Sequence, residues 1–343
     1  MASNRLDNKS RDKKKGGLST ALVAALPGKL RVSILRGLGN ISALVAPNKK
    51  NAILNATFHQ SRSAAYEAYR IFNRNYPLAE HEFHEELIGR AVDFGYLGWP
   101  RRIQQYVQDK DVLDVGCGTG IHSIGYAVVG VKSYTGMDPV IKLDLDRTKN
   151  IRKRAWEPFG WTPRQISDHF SRIELFPGTF EDFDSDRTFD VAVLHNVTEH
   201  LMQIDQVLHD TAKRLRPGGE LVFNHHNFFC WNGHHHQPKT IDKIDPADPE
   251  QKNYIDWSHI RFEAPEGHYF HRGLNKIKLD ELRVLVERDY DIEIWMEIPS
   301  DERNGGGRLT DEIVARFPEL TQRELYIHNV YCVAKRKPQL SAG

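Results

Sequence analysis

The stretch DVLDVGCGTGIH, Asp111 to His122, sets an acid, Asp114, two residues ahead of three glycines, Gly116, Gly118 and Gly120, with Cys117 inside the turn. Glycines let a backbone approach a ligand closely, and a helix beginning just after them would offer its unpaired N–H groups. The dinucleotide-binding version of this turn needs glycine at the sixth position, where this chain has Ile121, and no Gly-Lys-Ser/Thr follows to make a P-loop. The acid narrows the chemistry. A carboxylate repels a pyrophosphate but attracts a cation by about 1–4 kcal/mol at close range. Asp114 therefore predicts a ligand that carries positive charge.

S-Adenosylmethionine has a sulfonium and an ammonium and no phosphate. The acid followed by G-x-G-x-G, DVGCGTG here, resembles the first motif of the class I S-adenosylmethionine-dependent methyltransferases. The resemblance implies a Rossmann-like fold and S-adenosyl-L-methionine as cofactor, cradled by Asp114, Gly116, Cys117, Gly118 and Gly120. Asp138 lies 24 residues after Asp114 at the end of the next strand, where an acid can accept hydrogen bonds from both ribose hydroxyls. PGTFEDF resembles the family's adenine-side loop, with Thr179 where aspartate is common, so only Phe180 and Glu181 carry over as adenine neighbours. His195 closes the fourth strand, where the family's backbone faces the methionine portion. The likeness is good from about Asp111 to Asn224 and loose beyond.

Methyl transfer is an in-line displacement at carbon, so a hydroxyl acceptor needs a base near the ends of strands four and five. HNVTEHL puts Glu199 and His200 at the start of the expected helix after strand four. In ubiquinone-pathway and small-RNA 2'-O-methyltransferases a Glu-x-x-Glu-His at this place binds a divalent metal. Asn196 replaces the first Glu here, which weakens a hard-cation site, and no metal site is assigned to Glu199 and His200. FNHHNFFCWNGHHH follows strand five. His226 is the first choice of base and His225 the second, because they end a buried strand at the edge where open α/β sheets hold ligands; His200 is the third. The triplet His234, His235 and His236 reads as a solvated loop. A zinc or iron ligand set drawn from this histidine cluster is the lesser alternative.

The elements that must position these groups alternate as strand, turn and helix after Lys110, which predicts an α/β fold: a doubly wound seven-stranded sheet with an N-terminal helical extension and a loop-rich insertion after strand five. Strands are expected at DVLDVG, SYTGMD, RIELFPG, FDVAVLH and ELVFNHH, then DIEIWMEI and HNVYCVAKR. The clearest helix, IDQVLHDTAKRLRPGG, should stop at its Pro-Gly-Gly. Residues 1–17 read as a disordered basic tail, 18–50 as an apolar and basic helical segment, 51–110 as a helical cap, and 111–343 as the catalytic domain, with 227–274 its substrate-side insertion. Aromatics of the cap, Tyr66, Tyr69, Phe72, Tyr76 and Trp99, are expected to roof the cleft.

Composition sets the outer limits. The 343 residues are 40% hydrophobic and 27% charged, as in a globular protein. A net charge of +1 gives no reason to expect a nucleic-acid partner. Cys117, Cys230 and Cys332 match neither a disulfide framework nor a metal knuckle, so a reducing cytoplasm is the simplest location. No run of 18 uncharged apolar residues predicts a membrane span. The 18–50 segment reads first as helices packed on the domain, with peripheral contact at the inner membrane surface as the rival. The expected activity is O-methylation of a hydroxyl on a small-molecule or glycosidic acceptor. Its rivals are N-methylation of an amine and a catalytically silent cofactor-binding scaffold.

Overall fold

The computed structural model describes residues 84–183 and 186–338. The expected tail, the 18–50 segment and Tyr66, Tyr69, Phe72 and Tyr76 lie outside the described residues. Residues 84–93 fall in one compact unit, and the described chain from Phe94 onward falls in another. Helix α1 (Glu85–Phe94) accounts for the first.

Strand β1 (Asp111–Val115) is buried at every position. It pairs in parallel with β2 (Ser133–Met137) on one side and β6 (Phe189–His195) on the other. A strand covered on both faces needs apolar residues throughout rather than alternation, and DVLDV departs from that only at its two acids. Adding β5 (Ile173–Phe176), β7 (Leu215–His226), β8 (Tyr290–Pro299) and β9 (Ile327–Arg336) gives seven strands in the order β5-β2-β1-β6-β7-β9-β8. Only β9 runs against its neighbours. The chain order reverses direction at β1, and the crevice beside that reversal is where doubly wound sheets hold ligands.

Around the sheet run α2 (Gly98–Arg102), α3 (Gln104–Val107), α4 (Ser123–Val129), α5 (Pro163–His169), α6 (Ile204–Arg214), α7 (Leu279–Asp289), α8 (Asp311–Ala315) and α9 (Gln322–Tyr326). Leu208 of α6 and Leu282 and Val286 of α7 meet Leu113, Leu194, Leu221 and Phe223 of the strands in the main core. Close helix contact explains Gly125: a Cβ there would lie 2.7 Å from the Tyr96 carbonyl oxygen and 2.8 Å from Pro100.

Four local expectations need correction. Leu215 pairs with Phe189, and after a register shift Glu220 pairs with Val191. Helix α6 does end just ahead of Arg-Pro-Gly-Gly, at Arg214, but those residues are drawn into a bulge inside β7 and do not form a loop before it. Glu199 and His200 sit in a separate 3-10 turn, Thr198–His200, ahead of α6. A hairpin of β3 (Thr148–Asn150) and β4 (Ala155–Glu157) interrupts the connection after β2. Finally, the triplet His234, His235 and His236 is not in a solvated loop. Phe228, Trp231, Tyr254, Trp257 and Phe270 join Phe317 and Leu325 in a second core, and His234 is fully buried among them.

Candidate functional site

The glycine loop leaves β1 at the C-terminal sheet edge. Gly116, Gly118 and Gly120 all have positive φ, at 75°, 63° and 78°, which side chains with a Cβ resist. They differ in what surrounds them. A Cβ on Gly116 would overlap Val197, and one on Gly120 would lie 2.9 Å from Leu175, whereas nothing lies within 4 Å of a Cβ built on Gly118. One point of the loop therefore faces open space while its flanks are wedged against the next strand connections. Cys117 contributes backbone only, since its sulfur would lie 2.9 Å from a Cβ on Gly136 and so turns into the sheet.

Asp114 is 2% exposed. The Tyr134 hydroxyl donates to its Oδ2 at 2.8 Å, while Oδ1 has no hydrogen-bond partner among the described residues. Burial pushes this carboxyl up to about 7; the Tyr134 bond opposes the shift and the nearby Asp138 charge adds to it. The Tyr126 hydroxyl steadies the ionised form from beyond hydrogen-bond distance. An unpaired buried carboxylate oxygen costs about 1–3 kcal/mol or more. Such a group calls for a cationic partner. Asp138 is held differently: Gly118 N–H donates to one oxygen at 2.8 Å and Val140 N–H to the other at 2.9 Å. Burial raises its pKa, and these two bonds counter the rise.

Aromatic rings close the loop's other flank. The Trp99 indole stacks on His195 with centroids 4.3 Å apart and planes 4° from parallel, and His122 meets His195 edge-on at 5.3 Å. Burial holds His122 at about 4 and His195 well below the usual imidazole range, so both are neutral at pH 7. The hairpin is tied to the same loop through Thr119 and Thr148, whose hydroxyls are 2.9 Å apart, and Tyr96 bonds Thr148 at 3.0 Å. Thr119, Val140, Leu145, Trp156 and Pro163 line a mostly apolar cavity of about 290 Å³ beside it. Phe180 and Glu181 line another, polar cavity of about 440 Å³ with Asp186, Arg187 and Arg214.

The histidines gather where β6, β7 and β9 end. His225 turns inward and is 1% exposed, with Nδ1 2.9 Å from the Thr198 hydroxyl. His226 turns the other way, as strand alternation requires. Its Nδ1 is 2.7 Å from His235 Nε2, and its Nε2 is 3.3 Å from Asn232 Oδ1. His200 is the more accessible ring. Its Nδ1 lies 2.7 Å from the Gly273 carbonyl oxygen, so that nitrogen carries the proton, and Nε2 lies 3.9 Å from buried Glu199. Asn275 fixes the turn beneath by donating to the Thr198 and Leu201 carbonyls at 2.7 and 2.9 Å.

A family model described as a methyltransferase domain matches residues 94–290, well over half of the chain. The chain belongs to that methyltransferase family. Over 116 residues it is 31% identical to a tRNA U34 carboxymethyltransferase of Actinobacillus succinogenes, covering 34% of this chain and 32% of that one. It is 22% identical over 120 residues to a ubiquinone biosynthesis O-methyltransferase of Rickettsia akari, covering 35% and 41%. This methyltransferase spans about a third of the length of the curated relatives it matches. A solved S-adenosylmethionine-dependent methyltransferase of Mesorhizobium loti aligns at 16% identity with a TM-score of 0.42, over 70% of this chain and 98% of that one.

S-Adenosylmethionine is accordingly the methyltransferase's cofactor. The residues present fit it: an orphaned buried carboxylate oxygen on Asp114 for its positive charge and open space above Gly118 for its body. Asp114, the glycines, Asp138 and His195 all stand at one sheet edge. Phe180 and Glu181 are not in the cavity that Thr119 and Val140 line. Residues missed from the sequence are His122, Val140, Trp156 and the hairpin. Val140 had a usable signal, standing two places past the strand-end acid. The three-residue strands of the hairpin are too short to show a period.

Proposed function

We propose that this methyltransferase transfers a methyl group to a hydroxyl of a small-molecule or glycosidic acceptor, with His200 as the general base. When bound, the cofactor supplies an electrophilic methyl on a cationic sulfur. Asp114 holds the positive charge, Asp138 receives the ribose hydroxyls, and the cavity beside Thr119 and Val140 takes the adenosyl end. Trp99 over His195 keeps water from that side.

The observation that supports hydroxyl chemistry is the orientation of His200. The Gly273 carbonyl fixes the proton on Nδ1, leaving Nε2 with a lone pair that can accept a proton from an acceptor hydroxyl, with the Glu199 carboxyl 3.9 Å away. His225 and His226 are the poorer bases. Both nitrogens of His226 are committed, to His235 and Asn232, and His225 is 1% exposed, with Nδ1 on Thr198 and Nε2 enclosed away from any acceptor. An exposed amine acceptor would lose its proton to water unaided and would not need this arrangement. The methyltransferases named above include one acting in ubiquinone biosynthesis as an O-methyltransferase, in keeping with this reading.

The test is a panel of phenols, catechols and glycosides against a panel of amines, with S-adenosylhomocysteine release as the readout. Turnover with hydroxyl acceptors and a loss in His200→Ala, at unchanged cofactor affinity, supports the reading. Turnover with amines alone, or none lost in His200→Ala, refutes it.

A further inference from the structure

Beside the proposed base lies a second cluster that methyl transfer does not use. β7 ends at His226, and β9 begins beside it, since His226 pairs with Asn329. That register brings His328, about a hundred residues later, next to His226, with ring centroids 4.7 Å apart. The turn after β7 then folds Cys230 back over both. One donor atom from each of His226, Cys230 and His328 lies within 4.8 Å of the others.

The distances match a bound ion better than a packed core. With Zn–S near 2.3 Å and Zn–N and Zn–O near 2.1 Å, tetrahedral geometry separates S from N or O by about 3.6 Å and N from O by about 3.4 Å. Cys230 Sγ lies 3.6 Å from His226 Nε2 and 3.2 Å from Asn232 Oδ1, and His226 Nε2 lies 3.3 Å from the same oxygen. Three different donor atoms thus face one point at the spacing of a tetrahedron's edges, and His328 stands beside them.

The supports of these ligands are also those of a built site. His226 bonds His235 through the nitrogen opposite the cluster, the outer-shell arrangement that fixes which nitrogen is offered to a metal. Asn232 donates its amide to the Lys239 carbonyl at 3.1 Å, so its oxygen must face inward. Asn227 donates to the Glu324 and Ile327 carbonyls, both at 2.7 Å, and its backbone N–H bonds the His328 carbonyl. It therefore locks the Cys230 turn to the start of β9. Burial pushes the Cys230 thiol up to about 12, against which its own hydrogen bonds work only weakly.

We infer that His226, Cys230 and His328 bind a zinc ion, with the Asn232 amide oxygen at its fourth corner. One thiolate and two imidazoles select zinc over magnesium or calcium, which want oxygen. Binding displaces the Cys230 proton to solvent and leaves the site with one net positive charge. The inference does not depend on the acceptor or on His200, because it is read from metal content.

The full chain, made without a histidine tag, is dialysed, and its zinc is measured by mass spectrometry; a second sample is loaded with cobalt(II). About one zinc per chain is expected, with a thiolate-to-cobalt charge-transfer band. Cys230→Ser should abolish the band, and His328→Ala should abolish bound zinc, while both keep S-adenosylmethionine affinity. X-ray absorption of the wild-type zinc protein keeps the inference testable if a variant fails to fold: one sulfur with nitrogen and oxygen neighbours is expected. A wild-type protein that takes up neither metal overturns it. So does a sulfur-free shell, or zinc that survives in His328→Ala and is lost in Glu199→Gln.

Discussion

The two ends of the C-terminal sheet edge are built on opposite principles. Around β1 and β2 the chain uses backbone: left-handed glycines, N–H groups on Asp138 and the buried Asp114 carboxylate, all within the 30 residues from Asp111 to Val140. Around β7 and β9 it uses side chains drawn from positions as far apart as Glu199 and His328, brought together by strand pairing and clamped by Asn227 and Asn275. The difference teaches that the cofactor side tolerates almost no change in conformation, whereas the acceptor side depends on long-range docking. A methyl donor is constant across reactions and acceptors are not, so a local cradle beside a nonlocal wall suits the division of labour proposed above.

Each prediction can break or sharpen that contrast. The largest effect is expected on the acceptor side. His200→Ala should lower kcat by about 10²–10⁴-fold, the usual contribution of a general base, while cofactor affinity measured by calorimetry stays constant. A parallel fall in both would mean the two sides are not separable. Next comes the clamp: Asn227→Ala removes three buried side-chain bonds, two donated to the Glu324 and Ile327 carbonyls and one accepted from Phe229 N–H, and should destabilise the protein by about 2–4 kcal/mol in urea unfolding. The loss should fall on the insertion, with hydrogen exchange rising there before it rises in β1.

On the cofactor side, Gly116→Ala meets both a left-handed φ and Val197, while Gly118→Ala meets the φ alone. The first should abolish S-adenosylmethionine binding and the second cost only about 1 kcal/mol of stability, as read by thermal shift. Equal effects would show that the wedge against Val197 does not matter. Asp114 gives the smallest and most specific test. Its carboxyl titrates at about 7 in the cofactor-free protein, above the ordinary 3.8. The folded state therefore binds the proton more tightly than the unfolded state, and Asp114 makes stability fall as pH rises from about 4 to 7. The cationic cofactor reverses this by favouring the ionised form, so its affinity should rise with pH through 7. Asp114→Asn should flatten that dependence; a slope that persists in the variant would assign it to another group.

How much was legible follows the same division. The glycine loop, its acid and Asp138 are local, and the β-α alternation fixes the sheet edge on which they fall, so the family and cofactor could be read directly. The helix end before Arg-Pro-Gly-Gly was legible, but its bulge was not, because a helix stop and a strand bulge use the same residues and only the pairing of Leu215 with Phe189 draws them into β7. His234 looked solvated in a run of polar residues, yet tilted ring contacts with Tyr254 and His259 put it in a core. No local period carries that information.

The sequence by itself determined a cation-seeking carboxylate beside a glycine turn and a seven-stranded α/β sheet, because both rest on backbone preferences and burial patterns spanning a few neighbouring residues. Tertiary structure alone decided which histidines are accessible and which ones face a cysteine. Those depend on whose carbonyl or strand lies opposite, and the Gly273 carbonyl and the start of β9 reach His200 and His226 only through the folded chain.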